Sequence, residues 1–523
     1  MHTLSFMLTV VARPLMLLLL LPALARAETG VQAWVQTYEG PANDWDQARA
    51  VAVDRSNNVI VTGYSSGSGK DYATFKYSSA GVPLWTNRYD SSPNGQDYAV
   101  AVAVDANDDV IVTGYSEPAI ALLDDADYVT IKYSSAGVPL WTNRYNGPGS
   151  LGDRPSAIAV DASNAVLVTG FSWGDGGSDD YATVKYSSAG VPLWTNRYDG
   201  PSNGEDLATA VAVDGNNDVL VTGYSAGENP VTDDADYLTI KYSSEGLPLW
   251  TNRYSGPGDS RDEARAIAVD RNNNVIVTGN SSGKTYDYAT VQYSSAGAPL
   301  WTNRYNGPGN GDDYATAVAV DGHNNVIVTG YSPGIEGDYD YATLQYSSAG
   351  VPLWTNRYNG EGNVVDYSYA VAVDSSNNII VTGQSDYTFA TIKYSSAGVP
   401  LWTESFSSAL SPTLALDHNG DVIVAGTFVH GHADYDFVTL KYVSVPSPAL
   451  TALPFTGGTF QIRVDNVLQP GTLVLEASTD MVDWAPVFTN TTPTNTVFYT
   501  EPVAGSAPAR FYRAFQGIGP QLE

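Results

Sequence analysis

The sequence predicts an all-β protein: an eight-bladed β-propeller, with seven blades as the alternative, followed by a small β-sandwich. Three observations carry this. A set of phrases recurs eight times, the copies lie about fifty residues apart, and no window shows the 3.6-residue apolar period of a helix. Four short strands per fifty-residue unit is the propeller pattern.

The chain opens on Arg13 and an apolar run from Leu15 to Leu24, followed by Ala25-Arg26-Ala27. This is the form of a secretion signal with a small-x-small cleavage site. The run is shorter than the roughly 20 residues a membrane span needs. Residues 1–27 are therefore expected to be removed, and the protein to be secreted, extracellular or at a cell surface, with the periplasm as a second compartment. No later stretch is apolar enough to span a bilayer.

Residues 28–442 are expected to form the propeller. GVPLWTNRY and its variants place Trp85, Trp141, Trp194, Trp250, Trp301, Trp354 and Trp402, with Trp34 as a degenerate eighth. AVAVDxxNNVIVTG ends at Gly63, Gly114, Gly170, Gly223, Gly279, Gly330, Gly383 and, in altered form, Gly426. DYATxKY ends at Tyr77, Tyr133, Tyr186, Tyr242, Tyr293, Tyr346, Tyr394 and Tyr442. AVAVD (strand A), VIVTG (B) and ATxKY (C) are β-branched or aromatic, and PLWTNRY (D) has its Pro where a strand starts. The Asp-x-x-Asn-Asn between A and B, and Ser-Ser-Ala-Gly between C and D, are turn chemistry. The phase leaves the last unit without a D strand, and residues 33–38 are a D-like strand before any A. Pairing of 33–38 with 437–442 is expected to close the ring.

GVPLWTNRYNGPGNGDDYATAVAVDGHNNVIVTGYS resembles the SBBP-type β-propeller repeat of secreted bacterial proteins, over roughly residues 31–442. The family name implies seven blades, and this chain carries eight copies. The resemblance implies an exported protein and no fixed reaction.

Residues 443–450 contain two prolines and read as a linker. Residues 451–523 hold strand-like runs (TFQIRVDN, TLVLEAST, APVFTN, TVFYTE, RFYRAFQ) and are expected to form a β-sandwich-like domain. LEASTDMVDWAPVFTN with ARFYRAF is similar to C-terminal β modules of exported bacterial proteins, which implies an attachment or accessory role. Leu453-Pro454-Phe455-Thr456-Gly457 matches an LPxTG string, but no apolar span and basic tail follow it, so it reads as a turn entering a strand.

The chain has 523 residues, with 25 Lys+Arg against 56 Asp+Glu, a net charge of −31 and no Cys. The absent Cys excludes disulfides, thiolate metal sites and a thiol nucleophile. The acidity argues against nucleic acid. The expected state is a monomer.

The B–C loops differ between copies while the turns at the other end barely change. Loops on a rigid scaffold carry binding, so the candidate face is the one with the B–C and D–A loops. Its acids include Asp124, Asp125, Asp179, Asp180, Asp233, Asp234, Asp338 and Asp340. They offer hard oxygens for calcium, or solvated charge. His430, His432 and Asp434 alternate on an extended segment and form a second candidate, for a transition metal. The recurring Arg88, Arg144, Arg197, Arg253, Arg304 and Arg357 read as a structural series pairing with acids or packing on Tyr, and the Trp residues as wedges between blades.

Repeats that supply the same residues around an axis give no asymmetric acid, base and nucleophile. The reading is a non-catalytic exported binding or scaffold protein, with a glycan or a surface protein as partner. The alternative is a secreted propeller enzyme: a polysaccharide hydrolase or lyase using two loop carboxylates, or an oxidoreductase. For the last, Gly81-Val82-Pro83-Leu84-Trp85 resembles the end of the tryptophan-docking repeat of eight-bladed quinoproteins.

Overall fold

In repeat after repeat, one Tyr and one Gly from different phrases meet across two sheets. The computed structural model describes residues 8–10, 28–42, 44–92, 95–118, 125–149, 151–227, 234–258, 260–362, 364–430, 434–447, 449–453, 459–467, 472–478, 485–491, 495–502 and 510–517. Among them there is no helix. They fall into two compact units.

The larger unit is a β-propeller of antiparallel four-stranded sheets in the order A-B-C-D. A representative sheet runs Asp206–Val213, Val219–Ser225, Asp236–Tyr242 and Pro248–Tyr254. Strand A carries a bulge between Ala208 and Ala210. The same bulge recurs at Ala48/Ala50, Ala99/Ala101, Ala264/Ala266, Ala315/Ala317 and Ser368/Ala370. It presses backbone onto strand B: a Cβ at Gly223 would lie 2.0 Å from the Leu207 carbonyl oxygen and 2.8 Å from Tyr181 Oη of the preceding sheet. Only Gly fits there, which explains why the Gly closing strand B is constant. The Tyr181 hydroxyl, passing that Gly, donates to Leu238 O at 3.2 Å. Tyr72, Tyr237 and Tyr288 do the same one sheet on.

Sheets also join through strand D. Trp194 Nε1 donates to Ser244 O (3.1 Å), and its ring lies against Gly246, whose φ of +84° gives the C–D turn its shape. Asn196 Nδ2 donates to Gly246 O at 2.8 Å.

At the A–B turn, Asp214 Oδ1 accepts from the amides of Asn216 and Asp218, and its Oδ2 lies 2.7 Å from Lys241 Nζ. Lys241 and Asp214 are both buried. Lys76–Asp54, Lys132–Asp105, Lys185–Asp161 and Lys441–Asp417 repeat the pair. Neighbouring turns are stitched: the Gly215 amide donates to Asn273 Oδ1, and that of Arg271 to Asn324 Oδ1.

The stitching runs across the chain's ends. The His418 amide donates to Asn57 Oδ1 at 3.0 Å. Strand Glu28–Tyr38 lies in strand D position beside Tyr435–Pro446, followed by Val422–Val429 and Ala409–Leu416. Trp34 Nε1 donates to Ser79 O at 3.1 Å and its ring lies on Gly81, as Trp194 does on Gly246. One core joins Val59, Phe75, Ile423, Ala425 and Phe437, with Trp34 and Tyr38 packed on it.

The smaller unit contains two antiparallel sheets. One orders Leu8–Val10, Arg510–Gly517, Thr472–Ser478 and Ala485–Asn490; the other orders Ala449–Ala452, Thr459–Asp465 and Val497–Pro502. Ile462, Val464, Leu473, Leu475, Val497 and Tyr512 share one core. Of the expected signal, only Leu8–Val10 is described. Of the LPxTG-like string, only Leu453 is.

Candidate functional site: a tyrosine and cation belt at one end of the strands

The residue after the corner Asp of strand A and the residue after the Gly of strand B face each other across the bulge. They differ between copies: Gln47↔Tyr64, Tyr98↔Tyr115, Leu207↔Tyr224, Glu263↔Asn280, Tyr314↔Tyr331 and Tyr367↔Gln384. The bulge residue itself is Arg49, Val100, Thr209, Arg265, Thr316 or Tyr369. Bulges re-aim side chains near binding sites. All of these positions lie at the strand ends that carry the B–C and D–A loops.

One sector of this belt is built on Trp45, Tyr64, Tyr98 and Tyr115. Tyr98 stacks on Tyr115 (centroids 4.9 Å, 27° apart) and meets Tyr64 edge-on at 4.9 Å. Lys70 Nζ lies 4.9 Å from the Tyr64 centroid, 5.3 Å from Tyr98 and 5.6 Å from Trp45. Arg49 sits 5.5 Å from the Tyr64 centroid, and Arg154, paired with Glu117, lies 5.1 Å from Tyr115. Trp45 stacks on Tyr435 at 4.6 Å and remains 44% exposed. Among the described residues, Arg49 and Lys70 are within ion-pair distance of no carboxylate. Burial lowers the Lys70 pKa; Asp44 opposes this and Arg49 adds to it. Burial pushes Tyr98 up to about 12.

A second sector is almost wholly tyrosine. Tyr331 meets Tyr367 at 4.7 Å, Tyr314 at 5.2 Å and Tyr339 at 5.3 Å, and Tyr387 nearby in sequence is 59% exposed. In another copy Arg261 lies 4.5 Å from Tyr224, and Glu263 pairs with Arg261 and Arg265. The opposite end has a depression of about 400 Å3 beside Arg271, Asp321 and Asn377. Its polar groups are spent on the turns: Arg271 Nη1 donates to Gly322 O, and the Gly322 amide to Asn377 Oδ1, both at 2.6 Å.

The acids expected on the loop face divide. Asp180 and Asp340 are buried and lie 2.7 Å from Arg197 Nη2 and Arg357 Nη2. The same guanidiniums donate to Ser172 and Ser332, and to Tyr145 and Tyr305 of the preceding strand D. The Arg series thus pairs within its own repeat and touches Tyr of the previous one. Asp179 and Asp338 are half-buried, and Asp125 is exposed. Asp234 keeps a buried Oδ1 without a hydrogen-bond partner. Asp124 and Asp233 lie outside the described residues.

His432 also lies outside them. His430 Nε2 is 2.9 Å from Asp436 Oδ2, and its ring meets Phe428 edge-on at 4.5 Å. Its amide donates to Asp434 O at 2.8 Å, so Asp434 joins it through backbone. This blade has Thr37 where six others have Arg, and His430 answers the C-strand acid in its place.

The belt was hidden in the sequence because its residues belong to three different phrases. The available signal was the change of residue at one fixed offset after each corner Asp.

No family model matches the chain. It is 24% identical over 439 residues to an uncharacterized WD repeat-containing protein of Acanthamoeba polyphaga mimivirus. The match covers 65% of this chain and 30% of that protein's length. Similar solved structures include a protein from Lactobacillus plantarum (14% identity, TM-score 0.40, 67% of this chain and 99% of that one). Others are a PL25 ulvan lyase (9%, TM-score 0.40, 77% and 95%) and the extracellular domains 1–2 of Drosophila semaphorin 1b (11%, TM-score 0.36, 80% and 88%). The chain is an all-β propeller repeat protein, and no helix among its described residues is long and apolar enough to cross a membrane.

Proposed function

We propose that the chain is an exported, non-catalytic binding protein of the SBBP-repeat kind whose belt holds an acidic glycan chain. In this reading residues 1–27 are a cleaved signal, 28–442 an eight-bladed ring, 443–450 a linker and 451–523 a β-sandwich. The observation that carries it is the Arg49–Lys70 pair: two cations held on tyrosine faces, with no carboxylate within ion-pair distance among the described residues, in a chain of net charge −31. Cations without a close carboxylate among the described residues of so acidic a protein suit an anionic ligand, and the open face of Trp45 suits a sugar ring. A sugar chain, repeating its acid groups along its length, fits a belt better than a single small anion does.

The test is affinity electrophoresis of the full chain in gels containing polygalacturonate, alginate or neutral dextran. Retardation by the two uronates and not by dextran is expected, with at least a tenfold loss in Arg49→Ala/Lys70→Ala. No retardation by any glycan refutes the reading and favours a protein partner. Shortening of the uronate chain during incubation refutes the non-catalytic part and favours the lyase or hydrolase alternative.

A further inference from the structure

Between sheets, tyrosine hydroxyls are spent: Tyr72, Tyr181, Tyr237 and Tyr288 each donate to a backbone carbonyl of the next sheet. The tyrosine sector of the belt differs. The hydroxyls of Tyr314, Tyr331, Tyr339, Tyr367 and Tyr369 make no hydrogen bond to another described residue. Four of these side chains are half-buried and Tyr369 is 37% exposed. Tyr339 and Tyr367 lie 5.8 Å apart at 36°, and Tyr369 joins the group: burial, with Tyr331 and Tyr367 beside it, pushes its phenol up to about 12. Ring faces edged by unspent hydroxyls match a ligand with C–H faces and a rim of hydroxyls, which is a sugar.

The charge around this sector is of the opposite kind to that at Arg49 and Lys70. Among the described residues, cations lie over Tyr64, Tyr98, Tyr115 and Tyr224 and over none of these five rings. Burial, with Asp312 close by, raises the phenols of Tyr314 and Tyr339. Arg265, whose charge reaches Tyr331, is paired with Glu263. A uronate carboxylate here would meet Asp312 and no cation to offset it, whereas a neutral sugar meets no such repulsion. The sheet that holds Tyr435 stands between the sheets of Tyr367 and Tyr64, and Tyr435 stacks on Trp45. One extended chain touches both sectors by crossing that one sheet.

We propose that the tyrosine sector is a subsite for a neutral sugar residue, so that the ligand of the belt is a mixed polysaccharide with uronate and neutral residues on one chain. This rests on the glycan reading and narrows its substrate class. The rings stack on the C–H face of the neutral residue and the phenols exchange hydrogen bonds with its hydroxyls. Arg49 and Lys70 take the carboxylate of another residue of the same chain. The uncharged subsite does not hold a neutral polymer by itself; it acts once the cation sector has brought the chain to a high effective concentration.

The test is titration calorimetry of the full chain with two oligosaccharides of equal length. One is polygalacturonate; the other is a rhamnogalacturonan backbone, in which galacturonate alternates with neutral rhamnose. The second carries fewer carboxylates, so charge alone would favour the first. Tighter binding of the second by about tenfold is expected. Tyr331→Phe/Tyr369→Thr should abolish that preference and bring the two affinities together. Other copies carry Phe171 and Thr209 at these two places, so the fold accepts both changes. Arg49→Ala/Lys70→Ala should weaken both ligands. A rhamnogalacturonan affinity no greater than that for polygalacturonate overturns this inference and leaves the glycan reading standing. So does a preference that survives the tyrosine changes, or an equal loss on both ligands when they are made. Binding of neither ligand refutes the glycan reading, and this inference with it.

Discussion

If strand Glu28–Tyr38 closes the ring, Trp34 should be worth as much as any internal Trp. Trp34 and Trp194 make the same contacts: Nε1 to a Ser carbonyl at 3.1 Å, the ring face on a positive-φ Gly, and a tilted Tyr about 6 Å away. Both rings are half-buried. Truncation to Ala exposes about 100 Å2 of apolar contact, about 2.5 kcal/mol at 25 cal/mol per Å2. The lost hydrogen bond adds about 1 kcal/mol. Each variant should lose about 3.5 kcal/mol in guanidinium unfolding followed by far-UV circular dichroism. If unfolding is irreversible, the unfolding rate at fixed denaturant replaces the equilibrium. A Trp34→Ala protein as stable as wild type, beside a destabilised Trp194→Ala, would refute closure by this strand.

Lys241→Met leaves Asp214 buried without its cation and should cost about 3 kcal/mol or more, read by the same melt. Gly246→Ala forces a side chain onto a φ of +84° with its Cβ 2.8 Å from the Trp194 ring; a loss of about 2 kcal/mol is expected, with a shift in tryptophan emission. Burial, with repulsion from Asp180 and Asp199, pushes Asp206 up to about 6, and burial with Asp287 does the same at Asp313. The folded chain then holds protons that the unfolded chain has released. Stability from these two groups is full below pH 3.8 and is lost as the pH rises through about 6, so the melting temperature should fall between about pH 4 and about pH 6.5. A melting temperature that rises over that window would contradict the direction of these shifts.

Strand order and the odd phase of the ends were legible because turn residues and β-branched runs are local signals. The repeat multiplies them. The bulge was not legible, since it depends on the carbonyl of Leu207 meeting Gly223 across two strands. Nor was the fate of the acids. Asp180 reads as a loop charge, yet C–D register brings it to Arg197, seventeen residues on. The Lys of DYATxKY carries no sequence signal of its partner either: the A–B turn brings Asp214 over the buried Lys241. The belt residues are spread over several strands and sheets, and only the ring brings them together.

The stitches between sheets run mostly from invariant side chains to backbone carbonyls, such as Trp194 to Ser244 O and Asn196 to Gly246 O. A backbone acceptor is the same whatever side chain it carries. Blades are therefore interchangeable parts: one copy can be exchanged for another, and its belt residue altered, without renegotiating the joint. Such a chain can diversify what it holds by shuffling units, with the frame left intact.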